Sequence, residues 1–183
     1  MLSNKTFKII HQIGNALFLR GLNHSQSGNI SMRIGNKIYI TRRGSMKGFL
    51  EKSDIVTVGM KESANDKIAS TEMIVHRSIY NQTDAKAIIH CHAPITTALA
   101  FSRDEIIPMD LEGSIALPKI PVLNATHATA SKELAEKLPP LLIKYHSVVV
   151  KGHGIFTMGE KLEDAFHYAT LTEYISTILY YAR

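Results

Sequence analysis

The sequence lacks most of what marks a secreted or membrane protein. Its 183 residues include a single cysteine, Cys91, which cannot form an internal disulfide. A lone cysteine favours a reducing compartment. Residues 1–21 are interrupted by polar side chains and lack the apolar stretch of a signal peptide. No apolar run approaches the ~18 residues that span a bilayer. We therefore expect a soluble, cytoplasmic protein with no membrane partner.

Clustered charge is also missing. Twenty-one basic and sixteen acidic residues give a net charge of +5, yet no run of Lys and Arg is longer than the pair Arg42-Arg43. Without clustering, a basic total is weak evidence for nucleic-acid binding and suits an anionic small substrate equally well. We expect no nucleic-acid partner.

Length and composition predict one compact domain over residues 1–183. A usual domain has ~150 residues, so the chain has room for one. Apolar residues make up 45% and charged residues 20% of the chain. These fractions provide enough material for a core and give no sign of disorder.

The hydrophobic pattern predicts a layered α/β domain rather than a strict βαβ series. A first amphipathic helix ends near Gly21, and a hairpin follows around Gly35-Asn36. The further predicted elements are a strand over 54–60, a loop over 61–69, a helix over 72–81, a buried strand over 85–92, a helix over 94–100, strands near 114–117 and 120–123, a helix near 131–138, a hairpin around 152–154 and a last helix from near Gly159.

A pair of histidines on the strand over 85–92 is the strongest chemical signal. His90 and His92 are two residues apart, so both side chains leave the same face and Cys91 leaves the other as a small core residue. Two imidazoles at ~2.0–2.1 Å from a zinc-like ion need one or two further ligands. His153 is the best candidate, because its flanking glycines leave room around the ring.

A chance pairing is the alternative, since the chain has nine histidines. A second histidine in an otherwise apolar strand needs a buried partner, however, and a metal supplies one. The other histidines have no such spacing and are expected at the surface or around the ligands. They are His11, His24, His76, His127, His146 and His167.

Glu72 follows Ser70 and Thr71 at the start of a predicted helix. Alone, a carboxylate there is an ordinary capping or dipole-stabilising residue. Three nitrogen ligands with an open position make a catalytic metal site, however, and such a site needs a base. Together with the three histidines, Glu72 is the candidate base of such a site.

Small or hydroxylic residues also recur where strands and helices are predicted to begin. They are Gly28, Asn29, Thr41, Gly44, Ser70 and Thr71. Backbone N–H groups freed by glycine, together with a helix N-terminus, attract phosphate. The signal is weak because these are ordinary turn residues. Arg42 and Arg43 either add charge to such a site or are simply solvated.

Five motifs together resemble the class II aldolase/adducin family, from about Gly21 to the end of the chain. They are GNIS, YIT followed by Gly44, STE, IIHCHAP and VVVKGHGIFTMG, in this order and spacing. The resemblance implies a three-layer α/β/α sandwich around a largely antiparallel sheet. It also implies a C4 homotetramer with active sites at the subunit interfaces.

Site roles follow from the same resemblance. The implied zinc ligands are His90, His92 and His153, and Glu72 is the implied catalytic acid/base. The implied phosphate-binding residues are Gly28, Asn29, Ser70 and Thr71, with Thr41 and Gly44 near them. The activity we then expect is zinc-dependent retro-aldol cleavage of a phosphorylated ketose, similar to L-fuculose 1-phosphate, to dihydroxyacetone phosphate and an aldehyde. Asp110 or Glu112 would serve the aldehyde end as a second acid.

Some positions depart from the family pattern. Arg43 stands where a hydroxylic residue is expected before Gly44, and residues 108–113 lack an expected tyrosine. A second active-site tyrosine, expected in a C-terminal tail, has no counterpart before the chain ends at Arg183. These departures concern the aldehyde half of the substrate.

Three alternatives remain open. A sugar-phosphate 4-epimerase would use the same chemistry without releasing fragments, but such relatives usually have Asp where this chain has Glu72. A methylthioribulose-1-phosphate dehydratase would use Glu112 as its acid/base. A non-catalytic adducin-like module would be expected to have lost the three histidines or Glu72, and all four are present.

Overall fold

The computed structural model describes residues 2–182. The strands are β1 (Asn29–Ile34), β2 (Lys37–Thr41), β3 (Ile55–Gly59), β4 (Ala87–Cys91), β5 (Glu105–Ile106), β6 (Ile120–Leu123), β7 (Ser147–Val150) and β8 (Gly154–Gly159). The α-helices are α1 (Asn4–Leu19), α2 (Met73–Gln82), α3 (Pro94–Ala100), α4 (Leu111–Ala116), α5 (Lys132–Tyr145) and α6 (Leu162–Tyr181). Within residues 2–182, none of these helices has the length and apolar character needed to cross a membrane.

All eight strands form one sheet in the order β3-β2-β1-β4-β8-β7-β6-β5. Neighbouring strands are antiparallel, except that β6 and β7 are parallel. The register places Asn29 of β1 and Phe156 of β8 on either side of His90 in β4. Three stretches that are far apart in the sequence therefore meet at the end of β4.

Helices pack on both faces of the sheet, as the alternation along β4 makes clear. Ile88 belongs to a core cluster that includes Ile79 of α2 and Leu138 of α5. Its neighbours Ile89 and Cys91 belong to a second cluster with residues of α1 and α6. The predicted mixed α/β fold is confirmed, and so is the burial of Cys91.

One predicted strand is wrong. Residues 114–117 lie in the last turn of α4 and just after it, and Asp110 caps this helix by accepting a hydrogen bond from the Gly113 N–H at 2.7 Å. A short apolar run does not by itself distinguish a strand from a helix. Here Ile115 is 75% exposed instead of buried in a sheet.

The other predicted elements are present with shifted ends. Helix α1 begins after Ser3, whose hydroxyl accepts a hydrogen bond from the Thr6 N–H at 3.0 Å. Helix α5 continues past the predicted 131–138 to Tyr145, because its buried stripe extends to Leu142. The predicted loop over 61–69 includes a 3-10 turn (Ala64–Lys67), and the two-residue strand β5 was not predicted.

Gly154 is required by the close approach of β8 to β4. A Cβ atom at this position would overlap the Cys91 carbonyl oxygen, which is backbone and cannot move aside. We expect Gly154→Ala to lower the free energy of unfolding by about 1–3 kcal/mol, the usual cost of overpacking. Urea denaturation of the purified variant measures the change.

Gly59→Ala is the matched control for this substitution. Gly59 also lies in a strand, but a Cβ there would meet its nearest neighbour, the Lys61 carbonyl oxygen, at an ordinary 3.7 Å. Equal unfolding midpoints for the two variants would show that the β4–β8 approach does not depend on glycine.

Candidate metal centre and active site

Three histidine rings converge at the end of β4. The Nε2 atom of His90 lies 3.0 Å from that of His92 and 3.2 Å from that of His153. Nitrogens bound to one tetrahedral zinc lie about 3.3 Å apart, given bond lengths of 2.0–2.1 Å. His92 follows β4 directly, and His153 sits in the turn between β7 and β8. The structure thus brings together the three predicted ligands.

The orientation of the His90 ring is fixed from both sides. Its Nδ1–H donates to the Ile155 carbonyl oxygen at 3.0 Å, and the ring stacks on Phe156 with the centroids 4.2 Å apart. Because Nδ1 carries the proton, Nε2 carries a lone pair. A backbone carbonyl bonded to the remote nitrogen is the usual support of a metal-binding histidine.

This donor set fits a divalent transition metal. The single lone pair on His90 Nε2 can accept a hydrogen bond from only one of the two nitrogens that face it. A cation, by contrast, satisfies all three nitrogens at once. Burial also lowers the pKa of His92 to about 4 and the pKa of His90 well below its ordinary value, with neighbouring histidines lowering both further. The rings are therefore neutral, the form that binds metal.

Glu72 lies beside this cluster at the start of α2. The Glu72 side chain makes no capping hydrogen bond to the helix. Its Oε1 atom instead accepts hydrogen bonds from the Thr129 hydroxyl at 2.9 Å and the Ala130 N–H at 3.0 Å. The same oxygen lies 4.0 Å from His153 Nε2.

The second oxygen of Glu72, Oε2, is buried and has no hydrogen-bond partner among residues 2–182. The residue is 2% exposed, and this burial raises the pKa of its carboxyl group. A buried carboxylate with one free oxygen and a raised pKa suits an acid/base that exchanges a proton with a ligand in the pocket.

A pocket of about 320 Å³ opens in front of these groups. Five of the six predicted phosphate-binding residues line it. They are Gly28, Asn29, Gly44, Ser70 and Thr71. Gly28 has a φ of 70°, and a Cβ there would overlap Asn23 Oδ1 and the His90 carbonyl oxygen. The glycine therefore lets the loop before β1 lie close to β4.

Comparison with known families shows which family the chain belongs to. The model of the family described as Class II Aldolase and Adducin N-terminal domain matches residues 8–180. The chain belongs to the class II aldolase and adducin family. Since the family contains lyases of the aldolase type, the expected enzyme class agrees with this result.

Individual relatives of this class II aldolase/adducin chain carry two kinds of name. It is 30% identical over 174 residues to an L-fuculose phosphate aldolase of Methanococcus maripaludis, covering 94% of this chain and 93% of the relative. It is 32% identical over 174 residues to a methylthioribulose-1-phosphate dehydratase of Methylococcus capsulatus, covering 85% and 83%.

A solved structure gives the same family relationship in three dimensions. The L-fuculose-1-phosphate aldolase of Thermus thermophilus superposes with a TM-score of 0.91 at 32% identity, over 96% of this chain and 93% of that one. The fold and the family are therefore supported by both sequence and structure.

Three predicted site residues of this class II aldolase/adducin domain do not reach the pocket of their own chain. Thr41 is fully buried, and its hydroxyl accepts a hydrogen bond from the Ile30 N–H at 3.2 Å. Asp110 caps α4, and Glu112 lies in the first turn of that helix beside Arg20 and residues of α6.

A buried hydrogen-bonded chain supports Asn29 from behind. The His76 Nε2 and Asn29 Oδ1 atoms are 2.5 Å apart, and the Ser31 hydroxyl bridges His76 Nδ1 at 2.7 Å and the Tyr80 hydroxyl at 2.8 Å. Burial lowers the pKa of His76 to about 3, so the ring is neutral and donates only once. When Nε2–H donates to Asn29 Oδ1, the Asn29 amide N–H groups are left for a ligand. Only the three-dimensional packing of α2 on β1 reveals this role for His76.

Lys47 and Thr129 also line the pocket, and neither was predicted as a site residue. Lys47 begins a short 3-10 turn and Thr129 lies in a loop, and neither segment has a periodic sequence pattern. The alternatives for the arginine pair are partly resolved. Both Arg42 and Arg43 line the pocket, and the Arg42 guanidinium donates to Asp54 Oδ1 at 2.9 Å.

We expect the metal to survive mild acidification. Burial lowers the pKa values of all three imidazoles from the ordinary ~6.5. The metal should therefore be released at a pH below 6.5, where protons begin to compete for the ring nitrogens. Metal content after dialysis at stepped pH measures this, and half-release near pH 6.5 would contradict it.

His153→Ala should abolish stoichiometric metal binding, because it removes one of the three ring nitrogens. His167→Ala, at an exposed position, should leave metal binding unchanged.

Proposed function

We propose that this protein is a zinc-dependent aldolase that cleaves a phosphorylated ketose, similar to L-fuculose 1-phosphate, to dihydroxyacetone phosphate and an aldehyde. The observation that carries the proposal is the free Oε2 atom of Glu72 beside three converging imidazoles. A carboxylate with one free oxygen next to a three-nitrogen metal site is suited to proton transfer at a carbon next to a carbonyl.

His90, His92 and His153 would hold a divalent cation, which would supply Lewis-acid stabilisation of the negative charge that develops on substrate oxygen atoms during carbon–carbon cleavage. Zinc is our choice of ion because three imidazoles suit it, although such donor sets accept several metals.

Glu72 would then deliver a proton to the carbon at which the bond has broken. Oε1 is held by Thr129 and Ala130, so the carboxyl group keeps one orientation while Oε2 exchanges the proton. In the opposite direction the same oxygen would remove that proton. Burial, which raises the pKa of Glu72, makes the carboxylate a stronger base than an exposed one.

The phosphate group would be bound at the other end of the pocket. Asn29, Ser70 and Thr71 offer amide, hydroxyl and backbone donors there, next to the start of α2. Binding the phosphate in this place fixes the reacting carbon near Glu72 and the metal. Thr41 would support this end through its bond to β1 rather than by touching the ligand.

The relatives support a sugar-phosphate substrate, because those described above are named for L-fuculose phosphate or methylthioribulose 1-phosphate. The dehydratase name makes that reaction the second candidate. An epimerase remains less favoured because of Glu72, and a non-catalytic module because the complete triad and Glu72 lie together in one pocket.

We also propose that each chain folds as a three-layer sandwich, in which the helices on the two faces of the sheet form the outer layers. We propose that four such chains assemble as a homotetramer. The segment before and within α4 exposes Met109, Leu111 and Ile115, with 69%, 78% and 75% of their surfaces accessible. Exposed apolar clusters mark association surfaces. Contact between copies at α4 would carry Asp110 and Glu112 towards a neighbouring pocket, where either could serve the aldehyde end.

Replacing Glu72 by Gln tests the catalytic role. The substitution keeps the size of the side chain and removes its ability to exchange a proton, so cleavage should fall roughly 10²–10⁴-fold. Metal content should not change, because three nitrogens hold the ion. Glu163→Gln, at an exposed position in α6, is the matched control. Full activity in Glu72→Gln would remove Glu72 from the mechanism.

A panel of phosphoketoses distinguishes the candidate reactions. We expect release of dihydroxyacetone phosphate, detected by a coupled dehydrogenase assay, from at least one of them. Stereoisomerisation without fragments would indicate an epimerase, and loss of water with an intact carbon chain would indicate a dehydratase. Either result would replace the aldolase proposal.

An acidic substitution on α4 tests the assembly. We expect Ile115→Asp to reduce the mass measured by light scattering from four chains to fewer, because a charge would be buried in the interface. Ile143→Asp changes an exposed isoleucine of α5 and serves as the comparison. A wild-type monomer would end the tetramer proposal.

A further inference from the structure

Lys47 is a buried cation in the wall of the pocket. Only 2% of its surface is accessible, and it lies in the 3-10 turn after β2. Its Nζ donates hydrogen bonds to the Ser45 carbonyl oxygen at 2.6 Å and the Gln26 carbonyl oxygen at 3.1 Å. Burying an ammonium group is costly unless its charge is balanced.

No carboxylate within residues 2–182 contacts this ammonium group. The charge of Asp54 acts on it only from a distance, and Asp54 is already paired with Arg42. Burial lowers the pKa of Lys47 to about 8, so the side chain still carries its proton at neutral pH. The pocket wall therefore contains a positive charge without a contacting counter-ion.

One of the three hydrogen bonds of Lys47 is also weak. An ammonium group has three N–H donors. Two are used by the carbonyl groups, and the third candidate acceptor, Ser45 Oγ, is 3.5 Å away, at the limit for a hydrogen bond. That hydroxyl donates its own proton to the Arg42 carbonyl oxygen, so it presents a lone pair to Lys47, but at a long distance. A closer oxygen atom of a ligand would replace this weak contact as the third acceptor of Lys47.

The rest of the pocket favours a negatively charged ligand. Arg42 and Arg43 line it together with Lys47, and Glu72 is its only carboxylate among the described residues. Any bound divalent metal would add to the positive total. An anion in contact with Lys47 would supply both the missing counter-charge and a closer third acceptor.

We propose that Lys47 is an anion-binding residue of this pocket and that its ammonium group contacts the phosphate of the substrate. The identity of the anion rests on the proposed function, since a phosphorylated ketose brings a dianion to the same place. Asn29, Ser70 and Thr71 then give directed donors, and Lys47 gives the buried charge.

A purely structural role makes a different prediction. Lys47 joins the segment containing Gln26 to the segment containing Ser45, so it fastens two loops that border the pocket. If this is its whole function, its loss lowers stability without a selective effect on anions, and any uncharged donor that reaches both carbonyl groups replaces it.

Calorimetric titration of the metal-loaded protein with inorganic phosphate tests the proposal. We expect Lys47→Met to weaken phosphate binding about 10- to 100-fold, the usual range for a hydrogen bond to a charged group, and Lys47→Arg to restore most of it. Lys47→Gln keeps a donor for the carbonyl groups without the charge and should bind as weakly as Lys47→Met. If Lys47→Met fails to fold, Lys47→Gln provides the test in its place.

Lys52→Met is the matched control. Lys52 is an exposed lysine five residues away, and its Nζ donates to Asn4 Oδ1 at 2.7 Å. Its loss should leave phosphate binding unchanged. The metal content of every variant is measured, because phosphate binding by the metal itself must be equal across the series.

The outcomes separate this inference from the proposed function. If Asn29→Ala weakens phosphate binding and neither Lys47→Met nor Lys47→Gln does, the role of Lys47 is overturned and the phosphate site stands. If Lys47→Gln binds phosphate like the wild type while Lys47→Met does not, Lys47 only fastens the loops. A wild-type protein that binds no phosphate overturns both proposals.

Discussion

The site depends on one electrostatic constraint. Three neutral imidazole rings face one point, and their nitrogen atoms cannot all form hydrogen bonds with one another. His90 anchors the group because its Nδ1–H is bonded to Ile155. His92 follows on the same strand, and His153 arrives from a turn between two further strands. Gly154 allows that turn to reach the end of β4. The sheet register around β4 therefore places three ring nitrogens in positions that suit a single cation.

Charge is divided between two ends of one pocket. At the metal end, a single buried carboxylate, Glu72, faces the imidazoles with one oxygen free. At the other end, Lys47 and two arginines stand near the donors of the loop before β1 and the turn before α2. A ligand carrying an anionic group at one end and a polarisable carbonyl at the other would match this division.

Sequence pattern predicts the parts of this site that depend on local periodicity. His90 and His92 share a face because a strand alternates, and Cys91 is buried on the opposite side for the same reason. The strand predicted near Ile115 was wrong, because a short apolar run can also form a helix whose apolar side chains are exposed. Lys47 was missed because its burial results from two loops closing over it. No spacing in the chain encodes such a contact, whereas the motifs that carry the family resemblance are contiguous.

The hydrogen bonds from Thr129 and Ala130 to Glu72 come from the connection between β6 and α5, which contributes none of the three imidazoles. Ala130 adopts a φ of 45°, a left-handed conformation that few residues other than glycine take up. The orientation of the Glu72 carboxyl group thus depends on a stretch of polypeptide separate from the histidines. Evolution could remodel that stretch to alter the reaction's outcome while the cation and the anion stay where they are, which is one route by which lyases of different specificity could diverge on a single scaffold.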